Sequence, residues 1–209
     1  MSAIDLSAVP PEFLRALSAL RQAQCRNELK LEEIPAPSRL APFAVALGAE
    51  VIARPGPRPL HGPAVTPLQA ADAQELATGR FILLYDPEGS PVWDGTFRIV
   101  TYIRAELDAD MGNDTMLGSV AWDWLVEALE NHGAPYRNAG GTATRILSES
   151  YGTLSGRQDS IDIELRASWT PASADIRSHL EAWSDMVCTY AGLPPLPDGV
   201  TALPNRRRN

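Results

Sequence analysis

The chain has 209 residues, 44% apolar and 21% charged, a composition that suits one globular domain and excludes collagen-like, mucin-like and wholly disordered readings. Twenty-six acidic against eighteen basic residues leave a net charge of -8, which disfavours a broad nucleic-acid or anionic-lipid surface. No run approaches the roughly 18 apolar residues of a membrane span and no apolar signal core opens the chain, so the expectation is a cytoplasmic protein with no membrane contact.

Pro10 and Pro11 stand where a first helical turn tolerates proline, and Phe13, Leu14, Leu17 and Leu20 follow at helical spacing, predicting a helix over residues 11–24. Leu29, Leu31 and Ile34 predict a short strand ending at Pro35. Leu40, Phe43, Ala44, Leu47 and Val51 predict a second helix. Residues 54–67 carry five prolines and two glycines and read as loop. The expected organisation is a helical N-terminal extension with this loop over 1–67, a core over 68–192 and an extended Pro/Arg tail over 193–209.

Within the core, Phe81 to Tyr85 (FILLY) is a short apolar strand, and Asp86-Pro87-Glu88-Gly89 has the composition of a type I turn that would end it. Residues 96–107 alternate strictly, with Phe97, Ile99, Thr101, Ile103, Ala105 and Leu107 on one face, and predict a long strand. Leu117, Ala121, Trp124, Leu125 and Leu129 predict a helix capped by Asn113 or Asp114 and stopped by Gly133. A strand over 142–151 and another over 161–169 follow. Thr170-Pro171 then opens a last helix carrying Ile176, Leu180, Trp183, Val187 and Tyr190.

Residues 80–132 and 142–191 share the order strand, strand, helix. Arg104-Ala105 echoes Arg166-Ala167, and Ala121-Trp122 echoes Ala182-Trp183. The implied fold class is α+β, a two-layer sandwich whose mainly antiparallel sheet is built from two ββα units with both helices on one face.

The other face would then hold Arg98, Arg104, Glu106, Arg145, Glu149, Asp162, Glu164 and Arg166. Convergent guanidinium forks on such a face would bind a small anionic ligand, and Glu106, Glu149 or Glu164 would serve as acid or base in an enzyme. The simpler reading is a solvated face laced with cross-strand ion pairs. The acidic stretch Glu106, Asp108, Asp110, Asn113, Asp114 fails calcium-loop spacing and reads as helix capping. Cys25 and Cys188 have no metal-type neighbours and read as free thiols. Asp175 and His179 lie too far round the helix from Cys188 for thiol catalysis. No spacing of histidines or cysteines points to a metal, and no glycine-rich nucleotide motif points to a cofactor. Arg206, Arg207 and Arg208 end the proline-rich tail, the one place where nucleic acid or a linear docking role remains open.

The strings GRFILLYDPEG, WDGTFRIVTYIRAEL, AWDWLVEAL, GGTATRILSESYG, ELRASWTP and HLEAWSDMVCTYAGLPPLP resemble an uncharacterised family of high-GC Gram-positive (actinobacterial) bacteria, domain of unknown function three thousand. The resemblance covers residues 10–198. It implies no activity, cofactor or catalytic residue. Members encoded near a ribonuclease-D-like protein and haem-synthesis enzymes imply a loose link to RNA processing or porphyrin metabolism. The leading functional expectation is a non-enzymatic binding or accessory domain for a protein or small ligand, with a homodimer open. The alternatives are an enzyme using the Arg/carboxylate face and an RNA-associated accessory factor.

Overall fold

A computed structural model describes residues 9–52, 75–107 and 114–193. In chain order the elements are α1 (Pro11–Arg21), β1 (Leu29–Ile34), β2 (Phe43–Ile52), β3 (Glu75–Ser90), β4 (Gly95–Leu107), α2 (Leu117–Asn131), β5 (Tyr136–Ser148), β6 (Ser160–Pro171) and α3 (Arg177–Tyr190). The strands form one antiparallel six-stranded sheet in the order β1-β2-β3-β4-β6-β5. Its four strands from β3 to β5 are the two expected ββα units, so the α+β sandwich is as the alternation in 96–107 and 161–169 implied.

One face of the sheet is roofed by the helices. Phe81, Leu83, Ile99, Ile103, Ile163, Leu165 and Trp169 point to it and are fully buried. From α3, Ile176, Leu180, Trp183, Val187 and Tyr190 fill the same core; from α2, Leu117, Ala121, Leu125 and Leu129 do so. Gly133 and Gly192 end these helices at φ 58° and 75°, a left-handed backbone that glycine adopts without strain.

The two units are related by a pseudo-twofold axis. The repeat offset set by Arg104 and Arg166 is 62 residues and carries Ile103 onto Leu165; in the outer strands Gly79, which pairs with Ile103, has its counterpart at Ala143, which pairs with Leu165, two residues beyond Gly141. Ile103 and Leu165 pair directly across β4 and β6, which places the axis between them. The tryptophans cross over it. Trp183 of the second unit lies on Gly79 of the first, where an added Cβ would stand 2.6 Å from its ring. Trp122 of the first unit lies on Gly141 of the second, with a Cβ 2.9 Å from its ring and 2.6 Å from the Arg166 carbonyl oxygen.

Several expectations are corrected. Residues 43–52 are strand β2 and not a helix. Phe43, Val45, Leu47, Ala49 and Val51 satisfy a period of two as well as the apolar spacing read as helical, and the ladders offered by β1 and β3 decide between them. The strand beginning at Phe81 continues through Asp86-Pro87-Glu88-Gly89 to Ser90. Those residues form an irregular stretch of ladder, and the chain reverses at 91–94 with Asp94 at φ 56°. β5 begins at Tyr136, ahead of the glycine pair, and ends at Ser148. β6 runs through Thr170-Pro171, so α3 begins at Arg177. Asp114 does not cap α2 from the N-cap position; its Oδ1 accepts the Met116 N–H at 2.8 Å in the turn before the helix. The proline loop with His61, the acidic positions 108–113 and the tail with Arg206, Arg207 and Arg208 lie outside the described residues.

Because Gly79 and Gly141 leave no room for a methyl group, Gly79→Ala and Gly141→Ala should each cost about 1–3 kcal/mol by overpacking. Gly140→Ala, with nothing within 4 Å of the added Cβ, is the control expected to cost much less. Urea unfolding of the three variants measures this, and equal losses at 140 and 141 would contradict the tryptophan packing.

Candidate functional site

The open face of the sheet carries six of the eight candidate residues. Arg98, Arg104 and Glu106 alternate along β4; Asp162, Glu164 and Arg166 alternate along β6 beside them. The other two are elsewhere. Arg145 pairs with Ile163 and therefore points to the helical side, where its Nη1 donates to the Asp114 carbonyl oxygen at 2.8 Å. Glu149 follows the end of β5 and accepts from the Tyr151 hydroxyl at 3.1 Å. The apolar Ile146 pairs with Asp162 and so lies on the open face, which turns its neighbour Arg145 to the helical side, the reverse of what Ile146 as a core residue would imply.

The charges on this face are partnered within it. Arg104 Nη2 donates to Asp162 Oδ2 at 2.8 Å, and Arg166 Nη2 to Glu164 Oε2 at 2.7 Å. The Tyr102 hydroxyl donates to Glu164 Oε1 at 2.8 Å while the Arg166 guanidinium lies 5.5 Å from the Tyr102 ring centre. Burial raises the Tyr102 pKa and its bond to Glu164 adds to the rise. Arg98 differs, since its partners are uncharged: the Asn138 carbonyl at 2.8 Å, Thr170 Oγ1 at 3.0 Å and Ser168 Oγ at 2.7 Å. Desolvation lowers its pKa. Glu106 stands opposite Asp162 at the end of the ladder and helps line a cavity of about 340 Å³ with Glu75, Trp124 and Tyr190.

Between these charges the face holds only shallow depressions. One of about 430 Å³ is lined by Arg80, Ile82, Val100, Tyr102 and Arg166; another of about 580 Å³ lies between Ile34, Gly48, Arg80, Tyr102 and Arg104. Tyr102 and Arg80 are the members the sequence reading missed, although Tyr102 alternates with the chosen arginines in β4.

A larger feature lies on the helical side. α1 buries Phe13, Ala16 and Leu20 and leaves Leu14 and Leu17 facing a groove of about 870 Å³. Phe43, Val45 and Leu47 of β2 and Leu31 of β1 form the opposite wall, with Glu32, Glu33 and Arg21 at the rim. Phe13 stacks on Tyr85 at 5.7 Å and meets Phe43 at 5.8 Å, while the Tyr85 hydroxyl donates to Glu12 Oε2 at 3.0 Å and ties α1 down. The signal for this wall was present in β2 but was hidden by the helical reading of residues 40–51.

A family model described as a protein of unknown function (DUF3000) matches residues 9–201. The chain belongs to this family. No curated protein and no solved structure matches it. The DUF3000 chain holds no group of three or more His, Cys, Asp or Glu side chains able to take a metal among the described residues, and no described helix is long and apolar enough to cross a membrane. Cys25 and Cys188 are free thiols, both pushed up to about 11 chiefly by burial, so neither is poised as a nucleophile.

His179 is structural. The Trp169 indole N–H donates to its Nδ1 at 3.1 Å in the core, and burial holds its pKa down from 6.5 to about 4. The unfolded chain therefore takes up a proton in that interval and the native one does not. The stability from neutral His179 is fully present above pH 6.5 and is lost as pH falls toward 4, at up to about 1.4 kcal/mol per pH unit. His132, held up by Asp185 at 2.7 Å, has the opposite sign and loses its contribution only as pH rises past 6.5. Urea unfolding stepped through the acidic window should show this slope in the native chain and a flatter one in His179→Asn.

Proposed function

We propose that this DUF3000 chain is a non-enzymatic binding module whose groove between α1 and the β1-β2 ribbon accepts an amphipathic helix of another protein. Support comes from the contrast between two surfaces. On the open sheet face Arg104, Arg166, Tyr102 and the two buried carboxylates satisfy one another, which leaves neither Asp162 nor Glu164 poised as a general acid or base. On the helical side, apolar side chains that a closed core would bury remain half-exposed along the groove. From Pro11 to Arg21 the α1 wall runs about 16 Å at 1.5 Å per residue, three turns of a helix laid alongside. Glu33, on the helical side through its pairing with Leu47, favours a guest with lysine or arginine beside its apolar stripe. A cytoplasmic setting in a high-GC Gram-positive cell is the context assigned to this role.

The test uses a synthetic amphipathic peptide of leucine and lysine at helical spacing. Saturable binding should shift the backbone amides of Leu14, Leu17 and residues 43–47, and Leu17→Glu should weaken it about ten-fold or more, as loss of a buried anchor does. Arg166→Ala should leave it unchanged. If the peptide leaves these amides unmoved while phosphate or citrate shifts those of Arg98, Ser168 and Thr170, the anion-binding reading of the open face replaces this one.

A further inference from the structure

The two outer edges of the sheet are treated differently. β1 is six residues long and carries Lys30, Glu32 and Glu33, with Lys30 Nζ 3.3 Å from Glu50 and 3.7 Å from Glu32. A short charged edge of this kind resists pairing with another chain. β5 has no such guard after its bulge at Asn138, which sits at φ 51°. Residues 140–148 read GGTATRILS, with no proline, no carboxylate and one arginine, whose guanidinium is drawn onto the Asp114 carbonyl. The pseudo-twofold sharpens the contrast. It maps the outer edge of β3 onto the outer edge of β5, and β2 covers the first while no described strand covers the second.

We infer that the β5 edge pairs with the β5 edge of a second copy of this chain, about a twofold axis at Thr144, giving a continuous twelve-stranded sheet. The sequence of the strand is self-complementary in that register. Thr144 faces Thr144 of the other copy, Thr142 faces Ile146, Ala143 faces Arg145, and Gly140 faces Ser148, so β-branched side chains meet and no like charges do. Centring one residue later would set Arg145 against Arg145; centring on Gly141 would set Arg137 against Arg145.

The remaining pair is Gly141 with Leu147. Leu147 is 60% exposed, and it lies on the helical side of the sheet because its partner is Ile161. Gly141 is covered on that same side by the half-buried Trp122 ring, which stands 2.9 Å from where a Cβ would be. The register brings each Leu147 alongside the other copy's Trp122 ring, twice by symmetry. Of the exposed large apolar side chains among the described residues, Leu147 lies on β5, Tyr151 and Leu154 follow its C-terminal end, and Met116 stands at the start of α2, which Arg145 ties to this strand. A paired strand of about 30 Å at 3.3 Å per residue, flanked by these side chains, has the reach of an interface of about 800 Å² per partner. The net charge of -8 opposes self-association least here, where the strand carries no acid.

Sedimentation across micromolar concentrations of the full chain should show a monomer–dimer equilibrium. Leu147→Lys, at an exposed position the monomer does not need, should weaken it about ten-fold or more, and Thr144→Lys should do the same by facing two lysines across the axis. Under mild oxidation Thr144→Cys should cross-link as a dimer, because directly opposed strand residues fall within disulfide reach. Glu33→Cys on the other edge should form no cross-link across the β5 pairing, while its monomer–dimer equilibrium is unchanged. A chain that is monomeric throughout, or a dimer indifferent to both lysine variants, overturns the inference. A dimer that dissociates with Leu147→Lys but does not cross-link through Thr144→Cys overturns the register centred on Thr144.

Discussion

The fold depends on two glycines lying beneath two tryptophans. A sheet roofed by helices normally interdigitates side chains from both layers, but Gly79 and Gly141 remove theirs and let the indole rings of Trp183 and Trp122 approach the strands directly. Trp183 is wholly buried and meets Phe81 at 5.6 Å. Its indole N–H has no hydrogen-bond partner among the described residues, so the ring is held there for its size and shape at the expense of a polar group. Because each ring belongs to one ββα unit and each glycine to the other, neither unit can complete its core alone. The β4–β6 ladder and the crossed helices therefore form one cooperative body, with Ile103 and Leu165 at its centre.

That arrangement settles what the opposite face can do. With the apolar residues of β4 and β6 committed to the helices, the intervening positions bring Arg104, Glu164, Arg166 and Asp162 into adjacent rows, where paired charges and the Tyr102 hydroxyl satisfy one another. Glu164 and Asp162 are buried, but Arg104 and Arg166 are 49% and 60% exposed, so solvent screens these pairs and each contributes well under about 1 kcal/mol. Arg98 is the exception in kind, tying β4 to β6 and to the β5 bulge through uncharged acceptors. Its place is at the joint between ladders, a structural position before a chemical one.

The core and the order of its elements were legible because period two in β4 and β6 and period 3.6 in α2 and α3 each persist over several turns or residue pairs. The echo between Arg104-Ala105 and Arg166-Ala167 pointed at the axis before any pairing was known. What failed were features decided by neighbours. β2 reads equally as helix or strand until β1 and β3 present their ladders. Asp86-Pro87-Glu88-Gly89 has turn chemistry, yet it lies inside a longer hairpin. For the site, alternation placed Arg98, Arg104, Glu106, Asp162, Glu164 and Arg166 together, while Arg145 was misplaced because β5 turns its apolar Ile146 to the open face, and Glu149 because the strand ends at Ser148.

The groove follows from the same geometry as the core. α2 and α3 are related by the pseudo-twofold and roof the four strands from β3 to β5, but β1 and β2 extend the sheet beyond that symmetric body. Among the described residues α1 alone, eleven residues long, covers the extension, and it leans toward α3, where the backbone N–H groups of Gln24 and Arg26 just beyond it bond Glu181 and Ser184 at 2.7 and 3.0 Å. Held on that side and anchored by Tyr85 to Glu12, α1 cannot also close over Phe43, Val45 and Leu47. The half-exposed apolar wall is thus the consequence of two added strands that, among the described residues, no matching helix covers, and a helix supplied from another protein would complete that layer.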